Sequence, residues 1–120
     1  MINRITDIDV YNMAYQFCMQ IFSLTRNFPK EEKYSLTDQI IRSSRSICAN
    51  IAEGWGKRVY ENEFRKHFIY SLGSVEETKT WLEFAKDCDY ISLTEHEALA
   101  INPDHIGGKV FKLHQNWKSL

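Results

Sequence analysis

The residues of this 120-residue chain best able to bind a metal or move a proton are its 4 histidines, 16 carboxylates and 3 cysteines. Their spacing argues against either use. A metal site built on helices needs ligands three or four residues apart on one face. The residues three before His67, His96, His105 and His114 are Phe64, Leu93, Asn102 and Phe111, none of them a ligand. Glu63 and His67 are four apart and read as a hydrogen-bonded pair on a helix surface. No Gly-x-Ser-x-Gly elbow presents a nucleophile. GWGK at Gly54 to Lys57 and GGK at Gly107 to Lys109 lack the length, and the preceding strand, of a phosphate loop. The expectation is therefore no catalytic residue, no metal, no cofactor and no small-molecule substrate. An enzyme would need a pocket of converging polar groups, which a sequence does not display.

Charge is more informative in its distribution than in its total. The net charge of −1 excludes a uniformly cationic nucleic-acid binder of the histone kind. Between Gln39 and Arg58, however, Arg42, Arg45, Lys57 and Arg58 face the single acid Glu53. The span Glu76 to Asp104 sets eight acids against Lys79 and Lys86, and the final stretch is basic again through Lys109, Lys112 and Lys118. Arg42, Arg45, Lys57, Arg58, Lys109 and Lys112 are thus the candidate contacts to RNA or DNA phosphates. The alternative is that Asp38 pairs with Arg42 one turn away and the rest are solvated. Segregated charge of this kind also suits a protein that meets copies of itself, with opposite charges choosing the register. Trp55, Trp81 and Trp117 either line such an interface or close the protein's own core.

The elements that must position these residues are helices. Apolar residues recur at spacings of three and four from Asp7 to Asn27, through Tyr11, Ala14, Cys18, Ile21 and Thr25, until Pro29 stops the run. At most one helical turn fits between Lys30 and Tyr34. Ser35, with Asp38 three residues on, caps a second stripe of Leu36, Ile40, Ser44, Ile47 and Ile51, ended by Gly54 and Gly56. The third helix, Tyr60 to Asp89, is the longest, and Gly73 inside it suggests a close helix–helix approach. Thr94 caps a last piece that Pro103 and Gly107-Gly108 interrupt, so two segments with a break near Asn102-Pro103 are expected.

No alternating strand pattern and no repeat is present. The fold class is all-α, an antiparallel up-down-up-down four-helix bundle over residues 1–120. Arg4, Asp7 and Asp9 interrupt the start where a signal peptide needs an apolar stretch, and no apolar run reaches membrane-spanning length. A cytoplasmic protein with no membrane partner is expected. Cys18, Cys48 and Cys88 are odd in number and far apart, a poor disulfide framework, and each reads as a small buried hydrophobe.

The run FPKEEKYSLTDQIIRSSRSICANIAEGWGKR, Phe28 to Arg58, resembles the four-helix-bundle proteins encoded by intervening sequences in bacterial large-subunit ribosomal RNA genes. The likeness covers Asp9 to Ala85, with Asn50-Ile51-Ala52-Glu53-Gly54 and Gly73-Ser74 among its marks, and fades beyond Asp89. The resemblance implies a left-handed antiparallel bundle assembling into a homopentameric ring without catalytic activity. A related branch looks like the accessory proteins of diversity-generating retroelements, which bind a reverse transcriptase and nucleic acid through basic surfaces. Carried over, Arg42, Asn50, Glu53, Gly54 and Arg58 fall on recurring positions: Asn50 and Glu53 would hydrogen-bond the following loop, and Gly54 would take a left-handed C-terminal conformation. The sequence departs from the pattern at Ile41 and Arg45, which exchange the usual places of charge and apolar residue. It also departs at Ser43, Ser44, Cys48, Tyr60 and Pro103.

Overall fold

The computed structural model describes residues 2–117, and Lys118 of the basic final stretch lies outside them. Its four helices are α1 (Asp9–Thr25), α2 (Leu36–Gly56), α3 (Glu61–Asp87) and α4 (Leu93–Asn116), with single 3-10 turns at Ile5–Asp7 and Lys30–Glu32. The α1 and α3 ends fall within two residues of the periodicity limits, as fraying termini do.

Cross-helix hydrogen bonds and ion pairs fix the topology. The Cys18 thiol donates to the Ser44 carbonyl while Cys48 faces the Tyr11 carbonyl, so α1 and α2 run oppositely. Ser43 meets Thr78, Ser46 meets Ser74 and Asn50 meets His67, reversing α3 against α2. Lys79 pairs with Asp104, and Glu83 with His96, across α3 and α4. Asp9 pairs with Lys109, and Gln20 accepts from Asn102, across α1 and α4. Each helix is antiparallel to both neighbours, and the result is an up-down-up-down bundle 47 × 26 × 20 Å. Its core is mostly apolar: Phe17, Ile21, Ile40, Ile47, Ile51, Phe64, Phe68, Leu82, Ile106 and Val110 are fully buried, each worth about 1.5–3 kcal/mol in apolar transfer.

Helix four is not broken. It runs through Pro103 without interruption, and Ser92 rather than Thr94 caps it, in a reciprocal box with Glu95. A proline in a helix interior costs about 3 kcal/mol in propensity. Here Pro103 is buried, and Ile106 and Val110 on the same helix enter the core, so packing against α3 outweighs the local preference.

Two other expectations about ends change. Ser35 makes no cap bond of its own; it precedes Leu36 and donates to Glu32 instead. Among the described residues the left-handed one is Asp89 at φ 62°, not Gly54. There the Tyr90 N–H reaches back to the Ala85 carbonyl at 2.9 Å, ending α3 as a glycine often does. Cys48 is buried, Cys18 is half-buried and Cys88 is exposed, so the third cysteine is not core.

Candidate functional site

Helix α2 carries Arg42, Arg45, Asn50, Glu53 and Gly54 among the residues that the sequence singled out, and its two sides do different work. Toward α3 it presents small and polar side chains. Thr78 donates to the Ser43 hydroxyl at 2.8 Å, Ser43 to the Ile40 carbonyl, Ser71 to the Ile47 carbonyl and Ser74 to the Ser46 hydroxyl. Every one of these hydroxyls is satisfied, which is the condition for burying them.

The seam continues into a polar knot. Asn50 anchors on Ser46 through its amide nitrogen and offers its oxygen to His67 Nδ1 at 3.1 Å. Lys57 Nζ lies 3.0 Å from His67 Nε2. An ammonium group can only donate, so Nε2 accepts and Nδ1 carries the proton toward Asn50, with a Glu53 oxygen 3.6 Å away. Asn50 and Glu53 therefore address the imidazole on α3, not the loop. His67 is buried and does not pair with Glu63, whose partner is Lys66. One ring nitrogen is engaged by Asn50 and Glu53 of α2 and the other by Lys57 just beyond it, so the knot fastens α3 to the end of α2. Among the described residues no three His, Cys, Asp or Glu side chains gather to hold a metal ion.

The two marked glycines exchange roles. A Cβ on Gly54 would lie 2.9 Å from a Phe68 ring carbon and 3.3 Å from the Phe64 carbonyl, whereas one on Gly73 would meet nothing within 4 Å. The close helix approach belongs to Gly54, inside α2. Just beyond it Trp55 meets Trp117 edge-on, Phe64 stacks on Trp117 at 4.3 Å, and Arg65 donates to the Trp117 and His114 carbonyls. Trp55 and Trp117 thus close the bundle's own end, and Trp81 is half-buried on α3.

The other side of α2 is open. Tyr11, Tyr15, Cys18 and Met19 of α1 and Arg45, Cys48, Ala49 and Ala52 of α2 line a groove of about 380 Å³. Tyr15 and Met19 are 55% and 52% exposed, a large apolar surface for two neighbouring side chains.

The six candidate cations do not form one patch. Arg42 pairs with Asp38 at 3.2 Å, as the sequence alternative had it, and Lys109 pairs with Asp9 at 2.8 Å. Arg58 lies 3.8 Å over the Trp55 ring and donates to the Trp55 carbonyl, and Lys57 is held by His67. Arg45 lines the groove, while Lys112 on α4 shares a hollow with Asp7, Asp9 and Lys109, and α2 and α4 are not packed neighbours. Arg42 is about 21 Å from the Gly56 end of α2 at 1.5 Å per residue, and Arg58 lies beyond that end.

Residues 6–112 match the family model of the 23S rRNA-intervening sequence protein. The chain belongs to that family. The match runs past Asp89 to Lys112, so α4, where the sequence likeness faded, is part of the family's domain. A comparison with curated proteins finds no match. The chain is also similar to a crystal structure of a protein with unknown function from the S23 ribosomal protein family of Bacteroides thetaiotaomicron VPI-5482, with TM-score 0.82 and 25% identity. The similarity covers 89% of this chain and 96% of that one. For a member of the intervening-sequence family the Asn50 to Gly54 segment now has a structural account: it joins α2 to α3.

Proposed function

We propose that this intervening-sequence family member is a non-enzymatic, cytoplasmic interaction protein that assembles with copies of itself into a ring, five subunits in the arrangement the family resemblance implies. The observation that carries the reading is a pair of unlike exposed faces. One is the α1–α2 groove, apolar but for Arg45, which has no carboxylate partner among the described residues. The other is the outer face of α3, where Tyr70, Glu77 and Phe84 recur every seven residues and so share one side. Tyr70 and Phe84 are 51% and 53% exposed, and Glu77 accepts from the Trp81 indole but meets no cation among the described residues. The ridge fits the groove in polarity, with Glu77 opposite Arg45. Unlike faces that bind each other give a head-to-tail contact, which closes into a ring when the rotation permits. Light scattering on the gel-filtered protein is expected to give a mass several times the 14.2 kDa of one chain at micromolar concentration. A monomer throughout would end the reading.

A second reading, contact with RNA, DNA or a reverse transcriptase, rests on Arg45 and Lys112, the two candidate cations with no partner among the described residues. A mobility shift with structured RNA that weakens as salt rises is its signature, and no shift at low salt removes it.

A further inference from the structure

Helix α4 keeps one face that the rest of the bundle does not cover. From Thr94 to Gln115 the exposed positions of this face recur at spacings of three and four, opposite the buried Pro103, Ile106 and Val110. Ile101 and Phe111 stand on it 54% and 47% exposed, two large apolar side chains in water on a helix whose other side is already core. Between them Gly108 leaves a gap, since a Cβ there would meet nothing within 4 Å. Glu97 and Lys112 lie toward the two ends of the face, about 22 Å apart at 1.5 Å per residue. Neither is in an ion pair among the described residues, because Lys79 takes Asp104 and Asp9 takes Lys109.

We propose that this face is an isologous interface, in which α4 packs antiparallel on α4 of a second copy of the chain about a two-fold axis passing between Asp104 and His105. The stripe is complementary to its own reversal. Turned end for end about that point, Glu97 falls opposite Lys112, Ala98 opposite Phe111 and Ile101 opposite Gly108, and the axis makes each pair twice. Acid meets base and large side chain meets small, so Ile101 of each copy seats in the gap at Gly108 of the other and the two helices approach closely. Asp104 and His105 face each other across the axis itself. Sliding one helix two turns along the other sets Ile101 on Gln115 or Ala98 on Asp104, and leaves Glu97 without Lys112. The pairing therefore selects one register.

The α1–α2 groove and the α3 ridge take no part, so this contact goes beyond the ring and stands whether or not the ring forms. The experiment mixes full-length protein grown on light and heavy nitrogen, joins touching carboxylates and amines with a zero-length carbodiimide, and maps the products by mass spectrometry. The expected product links Glu97 to Lys112 in light–heavy peptide pairs, since on one helix the two side chains lie too far apart to be joined within a chain. Asp9 and Lys109, 2.8 Å apart in a single chain, report that the reagent has worked. Gly108→Leu fills the gap that receives Ile101 and is expected to cut the intermolecular product by more than about tenfold. It should not lower the thermal midpoint, because the position is open in the single chain. Absence of the Glu97–Lys112 product while the Asp9–Lys109 link forms would overturn the proposal, and so would Gly108→Leu leaving that product undiminished. Failure of the ring reading shows differently, as a mass no greater than two chains with the Glu97–Lys112 product still present.

Discussion

The α2–α3 and α1–α2 seams share a helix and differ in almost everything else. Toward α3, α2 offers Gly54 for a ring and hydroxyls that are each satisfied across the gap, leaving no space. Toward α1 it offers Arg45, Ala49 and Ala52, too short or too polar to fill the space, and the groove remains. One side of α2 is committed to folding, and the other is left as an open groove. A bundle this small needs one interlocked seam to fix its register, after which a second can be left incomplete for a partner.

The largest effects should come from the closed seam. Phe64→Ala removes a ring stacked on both Phe68 and Trp117 and is expected to cost about 3–5 kcal/mol in urea unfolding. Gly54→Ala places a methyl against Phe68 and the α3 backbone and should cost about 1–3 kcal/mol, despite alanine's better helix propensity. Gly73→Ala, in open space, should instead stabilise by up to about 1 kcal/mol. Equal outcomes for the two glycines would break the distinction between a packed seam and an open face. Thr78→Val takes away the donor to Ser43 and should cost about 1 kcal/mol by the same measurement.

The open side should respond in the opposite way. Arg45→Glu and Glu77→Arg, both exposed, are each expected to change unfolding free energy by no more than about 0.5 kcal/mol, yet to lower the mass seen by light scattering. The double variant restores it by re-forming the pair with its charges exchanged. An oligomer that survives both single changes would show that the ridge does not seat in this groove.

The smallest effect concerns pH and lies away from both seams. Glu32 accepts from Ser35, from Tyr90 at 2.7 Å and from the Leu36 N–H, and these bonds, Ser35's first, hold its carboxyl below the usual 4.5. The same carboxylate pushes the Tyr90 hydroxyl up to about 12 from 10.0. A lowered carboxyl stabilises the fold above its unfolded value and loses that as pH falls through the folded one. A raised phenol stabilises below 10.0 and loses it as pH climbs toward about 12. Tyr90→Phe should therefore flatten the alkaline fall in thermal midpoint and make the acid fall shallower, since Glu32 keeps its other donors. An unchanged pH profile would remove this link from the α3–α4 loop to the start of α2.

Much of this architecture was legible from spacing. Leu36, Ile40, Ser44, Ile47 and Ile51 were named as one face from a period alone, and all five are buried. What misled was local reasoning applied to residues whose role is set by a neighbour on another helix. Glycine at position 54 looked like a helix end because glycine often is one; only the Phe68 ring shows it to be a contact. Pro103 looked like a break because the helix pays locally for a missing donor, and the burial that compensates is tertiary. The small polar residues at 43, 46, 50, 71, 74 and 78 recur at three and four and were the available signal for the closed seam, but hydroxyls at such spacing read equally well as a solvated face.

By itself the sequence determined that this chain makes helices, how many, and which stripe of each faces inward, because those follow from a repeat of 3.6 residues and the cost of leaving apolar surface in water. Tertiary structure alone decided what the marked residues do. It held Lys57 on His67 and Lys109 on Asp9, left Arg45 without a carboxylate partner among the described residues, turned Asn50 toward His67, and set the Cys18 thiol on the Ser44 carbonyl. The reason is one of range: a hydrogen bond, an ion pair or a thiol contact acts over a few ångströms in space. Residues 30 apart in sequence reach that range only when the bundle closes.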